Sequence, residues 1–300
     1  MNDLFLHKCI IYTRMSKLLA VDLDGTLFYP KKFTRCISKK NVKFLREWID
    51  AGNRVVLISS RSFEFVENLK KEIGRDVDFL SSTSAQIFAN GELIRDVRMP
   101  GKELHEVLDH IETHYSPIAF LVNSKESGHV IKVCQELGHG LLIFYKLWWF
   151  FQFKYREKFT VSDKAFNELV DKGEASKVMI FYGLKKNKAK ISKEINKDLR
   201  DKYSDIEFSW TAQVNELTPR DCNKSAGLKI YCEHMNIDKN DVYVVGDSGN
   251  DISMFNEFHE HSYCMKHSYP SVKKYASHVI SRVYKLDKLV LKGELSHETN

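Results

Sequence analysis

The chain has 300 residues, enough for two ordinary domains or for one core carrying a large insertion. Hydrophobic residues make up 43% and charged residues 29%, which excludes an intrinsically disordered chain. The net charge of +6 comes from 46 basic and 40 acidic residues that are interspersed without a basic stripe. Small anionic partners are therefore expected, and nucleic acid is not.

The six cysteines (Cys9, Cys36, Cys134, Cys222, Cys232 and Cys264) form no CxxC pair, which suits reduced thiols rather than zinc ligands or a disulfide framework. The longest apolar stretch, Leu141 to Phe153, is interrupted by Lys146 and Gln152 and is too short to span a bilayer. Residues 1–16 read as a loose extension with no small-residue cleavage site. The expected location is the cytoplasm, with no membrane partner.

In chain order, the first buried-strand signal is Leu18-Leu19-Ala20-Val21, which ends abruptly at Asp22. An amphipathic helix is predicted over Asn41 to Ala51, stopped by Gly52. A second apolar run, Val55 to Ile58, ends at Ser59, and a helix over Ser62 to Lys71 follows, with Ser62 as its cap. Asn90-Gly91 marks a hairpin turn within Ile87 to Ile94. Beyond it come a helix near Lys102 to His114 and short strands around Ile118 to Val122, Leu141 to Tyr145 and Lys177 to Tyr182. A lysine-rich helix over Lys188 to Leu199 spaces Ile191, Ile195 and Leu199 four apart on one face. Lys224 opens a further helix to Met235, and the last apolar run, Val242 to Val245, ends at Gly246-Asp247.

Strands alternating with helices at both ends of the chain point to an α/β fold with a parallel sheet. The middle reads as an α+β unit. The expected division is a core of residues 17–96 and 210–300, with 97–209 inserted into it. Ligands of open α/β sheets bind beyond the carboxyl ends of the strands. The polar residues that end the three apolar runs therefore converge on one crevice.

Their chemistry is coherent. In Asp22-Leu23-Asp24-Gly25-Thr26, two carboxylates sit two apart at a strand end, and glycine permits a tight turn. Such a pair suits a hard cation with oxygen ligands, or a nucleophile beside a proton carrier. Ser59-Ser60-Arg61 offers hydroxyls followed by the N–H groups of a helix start, a cradle for phosphate. Gly246-Asp247-Ser248-Gly249-Asn250-Asp251 adds two aspartates and an asparagine that could complete an octahedral oxygen site. Read singly, each motif is also compatible with a turn or a helix cap.

Taken together and in this order, Asp22-x-Asp24-Gly25-Thr26, Ser59, Lys224 and Gly246-Asp247-x-x-Asn250-Asp251 resemble the haloacid dehalogenase superfamily of phosphatases, in particular its Cof-like branch. The insertion resembles that branch's type-two (IIB) cap. The resemblance implies a Rossmann-like core and a Mg2+ cofactor, and hydrolysis of a small phosphorylated metabolite, most of all a sugar phosphate. It implies that Asp22 is the nucleophile and that Asp24 protonates the leaving oxygen, then activates water. Ser59, Ser60, Lys224 and Asn250 would hold the phosphoryl group. Magnesium would take the Asp22 carboxylate, the Asp24 backbone carbonyl and the Asp247 carboxylate, with Asp251 orienting the metal site directly or through water. Met265 to Lys273 resembles the family's late loop beside the site.

The chain departs from the pattern at Ser59-Ser60-Arg61, where Thr-Gly-Arg is usual, at Thr83-Ser84, where Asn-Gly is usual, and at His267-Ser268, where Asn-Ala is usual. The last two lie on the substrate side. Two rival readings share the scaffold: a phosphotransferase or mutase using the same aspartyl-phosphate, and a binding or regulatory protein without turnover. In the insertion, His129, His139, Tyr145, Trp148 and Trp149 are candidates for contacting the substrate that the sequence does not rank.

Overall fold

The computed structural model describes residues 16–30, 37–59, 61, 63–124, 128–136, 138, 159–182, 188–210 and 214–287. Within them lie two sheets. The larger has eight strands and the smaller six.

The first sheet is built on β1 (Leu18–Asp22), flanked in parallel by β2 (Arg54–Ile58) and β12 (Val242–Gly246). All five residues of β1 are buried because both faces of the sheet are covered. Leu19, Val21, Val55, Leu57, Tyr243 and Val245 pack on one side with Phe44, Leu45 and Trp48 of α1 (Lys39–Asp50). Leu18, Ala20, Val56, Ile58, Val242 and Val244 pack on the other with Leu228 and Tyr231 of the helix Lys224–Met235. Each such buried aliphatic side chain contributes about 1.5–3 kcal/mol, which is why a continuous apolar run, not an alternating one, marks these strands. The outer strands are β3 (Asp78–Ser81), β13 (Ser262–Met265) and β14 (His278–Ile280), all parallel. The hairpin β4 (Gln86–Ala89) and β5 (Glu92–Asp96) adds an antiparallel edge, with Asn90 and Gly91 both at positive φ as its turn requires.

The second sheet contains β6 (Ala119–Ser124), β7 (Gly128–Val133), β8 (Phe159–Val161), β9 (Lys177–Phe181), β10 (Ile206–Trp210) and β11 (Val214–Pro219). Its pairings are antiparallel except β7 with β8. Three helices, α3 (Gly101–Tyr115), α4 (Asp163–Asp171) and α5 (Lys188–Leu199), bury Val107, Ile111, Phe166, Ile195 and Leu199 against one face. β11 belongs to this sheet because it pairs with β9 and β10.

The remaining helices are α2 (Phe63–Ile73), α6 (Lys224–Met235), α7 (Ile252–Glu257) and α8 (Pro270–Lys273). The expected strand Leu141 to Tyr145, the cap Ser62 and the extension 1–15 lie outside the described residues. Among the described residues, no helix is long and apolar enough to cross a membrane, and Cys134, Cys222, Cys232 and Cys264 are free thiols.

Candidate active site

Strand register brings the motifs together. Asp22 pairs with Ile58, so Ser59 follows one step beyond it; Val21 pairs with Val245, so Gly246 and Asp247 leave the sheet at the same level. Asp22, Ser59 and Asp247 thus stand at the carboxyl edge of three adjacent strands.

After Asp22 the chain makes a wide turn, closed by the Phe28 N–H donating to the Leu23 carbonyl at 3.0 Å. Gly25 sits in it at φ 91°, and any Cβ there would run into the Asp247 carboxylate. Glycine is therefore required both for conformation and for the approach of the third motif. Thr26 Oγ1 donates to Asp247 Oδ1 at 3.1 Å, tying the first and third motifs.

Lys224 reaches the same place from the first turn of α6, whose N-terminus is capped by Asn223 accepting from the Ala226 N–H at 2.9 Å. Its Nζ donates to Asp22 Oδ1 at 2.7 Å and to Asp251 Oδ1 at 2.5 Å. Burial opposes the ammonium, but the two carboxylates outweigh it, so the Lys224 pKa lies above its ordinary value. Asp251 is fully enclosed. Its Oδ2 accepts from the backbone N–H groups of Asp247 and Ser248, each at 2.9 Å. Both oxygens of Asp251 are thus engaged in holding Lys224 and the loop.

The carboxylates of Asp22, Asp247 and Asp251 each place one oxygen within 4.8 Å of the others. Burial pushes the Asp22 carboxyl well above its usual range; Lys224 opposes this, and Asp251 and Asp247 add to it. Burial likewise raises Asp247, with Asp251 reinforcing. A site that crowds carboxylates away from water calls for further positive charge. Asp22 Oδ2 is buried and has no hydrogen-bond partner. These observations fit a hard divalent cation among the Asp22 and Asp247 oxygens.

The structure also makes a pairing that the sequence did not reveal. Arg61 clasps Asp24 with both nitrogens of its fork, Nε to Oδ2 and Nη2 to Oδ1, each at 2.9 Å. The side chain expected to carry the proton therefore meets a guanidinium. Arg61 is held in turn over the Phe65 ring, 4.7 Å from its centroid. The Arg61 N–H donates to Ser59 Oγ at 3.2 Å, and Ser59 is buried. Ser60 lies outside the described residues. Asn250 turns its Oδ1 to the Ser248 hydroxyl at 2.8 Å.

The departures from the family pattern are also placed. His267 brings its Nε2 to 3.7 Å from Asp247 Oδ2 and stacks on Tyr29 with ring centroids 3.8 Å apart. The late loop therefore does border the site. Ser82, Thr83 and Ser84 are three successive non-glycine residues at positive φ (48°, 57° and 76°), and all are buried. Of the substrate-contact candidates in the insertion, His129 is described and hydrogen-bonds Asn123 Oδ1 through Nδ1 at 2.7 Å; His139, Tyr145, Trp148 and Trp149 lie outside the described residues.

Comparison with known proteins bears on this arrangement. The model of the haloacid dehalogenase-like hydrolase family matches residues 19–287. The chain belongs to that family. A curated relative, the 5-amino-6-(5-phospho-D-ribitylamino)uracil phosphatase of Bacillus subtilis, is 24% identical over 283 residues, covering 88% of this chain and 92% of its own. Among solved structures, a HAD/COF-like hydrolase from Plasmodium vivax superposes with a TM-score of 0.76 at 20% identity, covering 93% of this chain and 97% of that one. A subclass IIB sugar phosphatase superposes at 0.69 with 18% identity, covering 91% and 98%. The Cof-like resemblance and the expectation of a phosphatase stand.

Proposed function

We propose that this phosphatase hydrolyses a small phosphorylated metabolite, a sugar phosphate by class, through an aspartyl-phosphate on Asp22. The observation that carries the reading is the buried contact of Asp22 with Lys224 beside the Asp247 carboxylate, at the edge of three parallel strands.

Asp22 Oδ attacks phosphorus, and the bond from phosphorus to the leaving oxygen breaks. Asp24 gives that oxygen its proton, which requires Asp24 to let go of Arg61. The carboxylate of Asp24 then takes a proton from water, whose oxygen attacks the acyl phosphate. Inorganic phosphate departs and Asp22 is regenerated. The Lys224 ammonium stands where it offsets repulsion between the carboxylate and the phosphoryl oxygens, and the Ser59 hydroxyl donates to them. Asp22, the Asp24 carbonyl and Asp247 would hold Mg2+, which supplies charge neutralisation when bound. Asp251 supports the site through Lys224 and the Asp247–Ser248 backbone. The phosphate-side role of Asn250 and the place of action in the cytoplasm belong to the same proposal.

The test is release of phosphate from p-nitrophenyl phosphate with Mg2+. Asp22→Asn is expected to lower kcat by about a thousandfold or more, since the step that forms the intermediate has no other nucleophile. Equal turnover by both proteins would overturn the mechanism.

A further inference from the structure

A cavity of about 480 Å³ opens where β2 and β3 begin, at the opposite end of the strands from Asp22. That volume is in the range of small-molecule sites. Its floor is a hydrogen-bonded network around Asp78, which is only 8% exposed. Asp78 Oδ1 accepts from the Asn90 N–H at 2.7 Å, and Oδ2 accepts from the Tyr231 hydroxyl at 2.5 Å. Arg54 Nη1 donates to Asn90 Oδ1 at 3.0 Å and lies 3.4 Å from Asp78 Oδ2.

Two cations line this cavity with donors to spare. Of the five N–H groups of the Arg54 fork, those on Nη1 meet Asn90 and Asp78; Nε and Nη2 have no carboxylate partner among the described residues. Lys70 Nζ meets Asp76 Oδ1 at 2.9 Å, but the Asp76 side chain is 96% exposed, and an ion pair so open to water costs little to break. The charge of Asp78 is also felt at Lys70. Both cations therefore gather about one carboxylate whose oxygens are already taken by Asn90 and Tyr231. Val55 and Val77 add an apolar wall.

We propose that this cavity is a second ligand site, for a small organic oxyanion whose phosphate or carboxylate head lies between Arg54 and Lys70. The floor offers donors in surplus and no open acceptor, which suits a ligand head that only accepts. A guanidinium fork takes two oxygens side by side, an ammonium adds a point charge, and the apolar wall covers the organic body. The floor also belongs to α6. Tyr231 lies on that helix, and so does Met235, whose Sδ accepts from Asn90 Nδ2 at 3.7 Å. Lys224 opens the same helix, whose two ends lie about 17 Å apart. An occupant that draws Arg54 away from Asp78 therefore changes the hold on the helix that carries Lys224. That link to turnover, unlike the binding itself, rests on the phosphatase reading.

The experiment follows the melting temperature of the metal-free full chain against inorganic phosphate, propylphosphonate and malonate. Without metal, the crowded carboxylates around Asp22 repel anions, so binding reports on the second site. The expected result is a saturable rise with propylphosphonate or malonate, at lower concentration than with inorganic phosphate. Which of the two binds tighter tells a phosphate head from a carboxylate head. Lys70→Met is expected to weaken that binding about tenfold, and Arg54→Met/Lys70→Met to abolish it. If the double variant fails to fold, Lys70→Met still decides, because it alters only an exposed pair. A rise shared by the wild type and the variants is the general effect of an excluded anion and overturns the site, as does no rise with any probe. Inorganic phosphate binding as tightly as both organic probes overturns the class of ligand. In a second arm, with excess Mg2+ and p-nitrophenyl phosphate, the tighter organic probe is expected to change kcat by about threefold or more in the wild type and not in the double variant. An unchanged kcat with the site filled overturns the link through α6. No turnover by the wild type would instead sink the phosphatase reading, and the melting curves would still decide the site.

Discussion

Among the described residues two lysines are almost wholly shielded from water, and they respond in opposite ways. Lys224, in the crevice at the carboxyl ends of the parallel strands, is gripped by Asp22 and Asp251, and its pKa is raised. Lys177, in the second sheet, has Glu216 beside it at 2.8 Å, and burial pulls its pKa down despite that partner. Burial is comparable, at 2% and 0% exposure, so the number of carboxylate partners decides the sign. Two of the three donors of Lys224 are taken by these carboxylates.

The largest effect that tests this contrast is at Lys224. Lys224→Met leaves Asp22 and Asp251 buried without their cation. It is expected to cost about 3–5 kcal/mol of stability in the absence of metal, as breaking a buried pair from one side does. Phosphatase activity should fall with it. Denaturant unfolding in EDTA reads the first effect and phosphate release the second. A stability change below about 1 kcal/mol would show that the ammonium is not satisfied as described.

Metal gives the next effect. The folded-state pKa values of Asp22 and Asp247 lie above those of the unfolded chain, where a carboxyl titrates near 4. Between the two pKa values the folded state binds more protons than the unfolded state, so stability falls as pH rises through that window. The metal-free protein is therefore expected to lose stability from about pH 4 upward through the raised values. Mg2+ should reverse the loss, adding about 2.7 kcal/mol at a hundredfold excess over Kd. Thermal melts across pH, with EDTA and with Mg2+, measure both. Parallel curves in the two conditions would break the link between the carboxylates and the metal.

The Lys177 pair should behave differently under mutation. Lys177→Met strands Glu216 and is expected to destabilise the fold. The double variant Lys177→Met/Glu216→Met should recover that loss or exceed wild-type stability, by about 1–4 kcal/mol relative to the ion pair. A double variant less stable than the single would mean that the pair is a structural requirement, and the contrast with Lys224 would vanish.

These two lysines also mark how far the sequence could be read. Three apolar runs ending at Asp22, Ser59 and Asp247 were legible because parallel strands buried on both faces need unbroken hydrophobicity, and their chemistry sits where that need stops. Lys224 was legible by its place at a helix start in a familiar order of motifs. Lys177 and Glu216 were not. They lie far apart in sequence, and they meet only because β9 and β11 are neighbours in a six-stranded sheet whose order no local pattern encodes. Period-two alternation places Lys177 with Met179 and Phe181 on one face, but says nothing of what faces them. The grip of Arg61 on Asp24 was hidden for the same reason: Arg61 stood in plain view in the second motif, and its partner lay in the first.

The smallest effect concerns the loop that touches the neighbours of both lysines, Ser176 through Ser82 and Gly227 through Ser84. Ser82, Thr83 and Ser84 occupy left-handed conformations that side chains disfavour, in a stretch where the family usually carries Asn-Gly. Ser84 carries a second burden, a buried hydroxyl without a partner. Its side chain packs so tightly on Gly227 of α6 that any Cβ at 227 would collide with it. Ser84→Gly removes the strain and the unmet hydroxyl, and it adds only the chain entropy of a glycine in the unfolded state. The net expectation is stabilisation by about 1 kcal/mol, read as a higher denaturant midpoint at constant slope. A loss of stability would mean that the serine side chain wedges α6, and with it Lys224, into place; the strain would then belong to the catalytic architecture rather than being incidental to it.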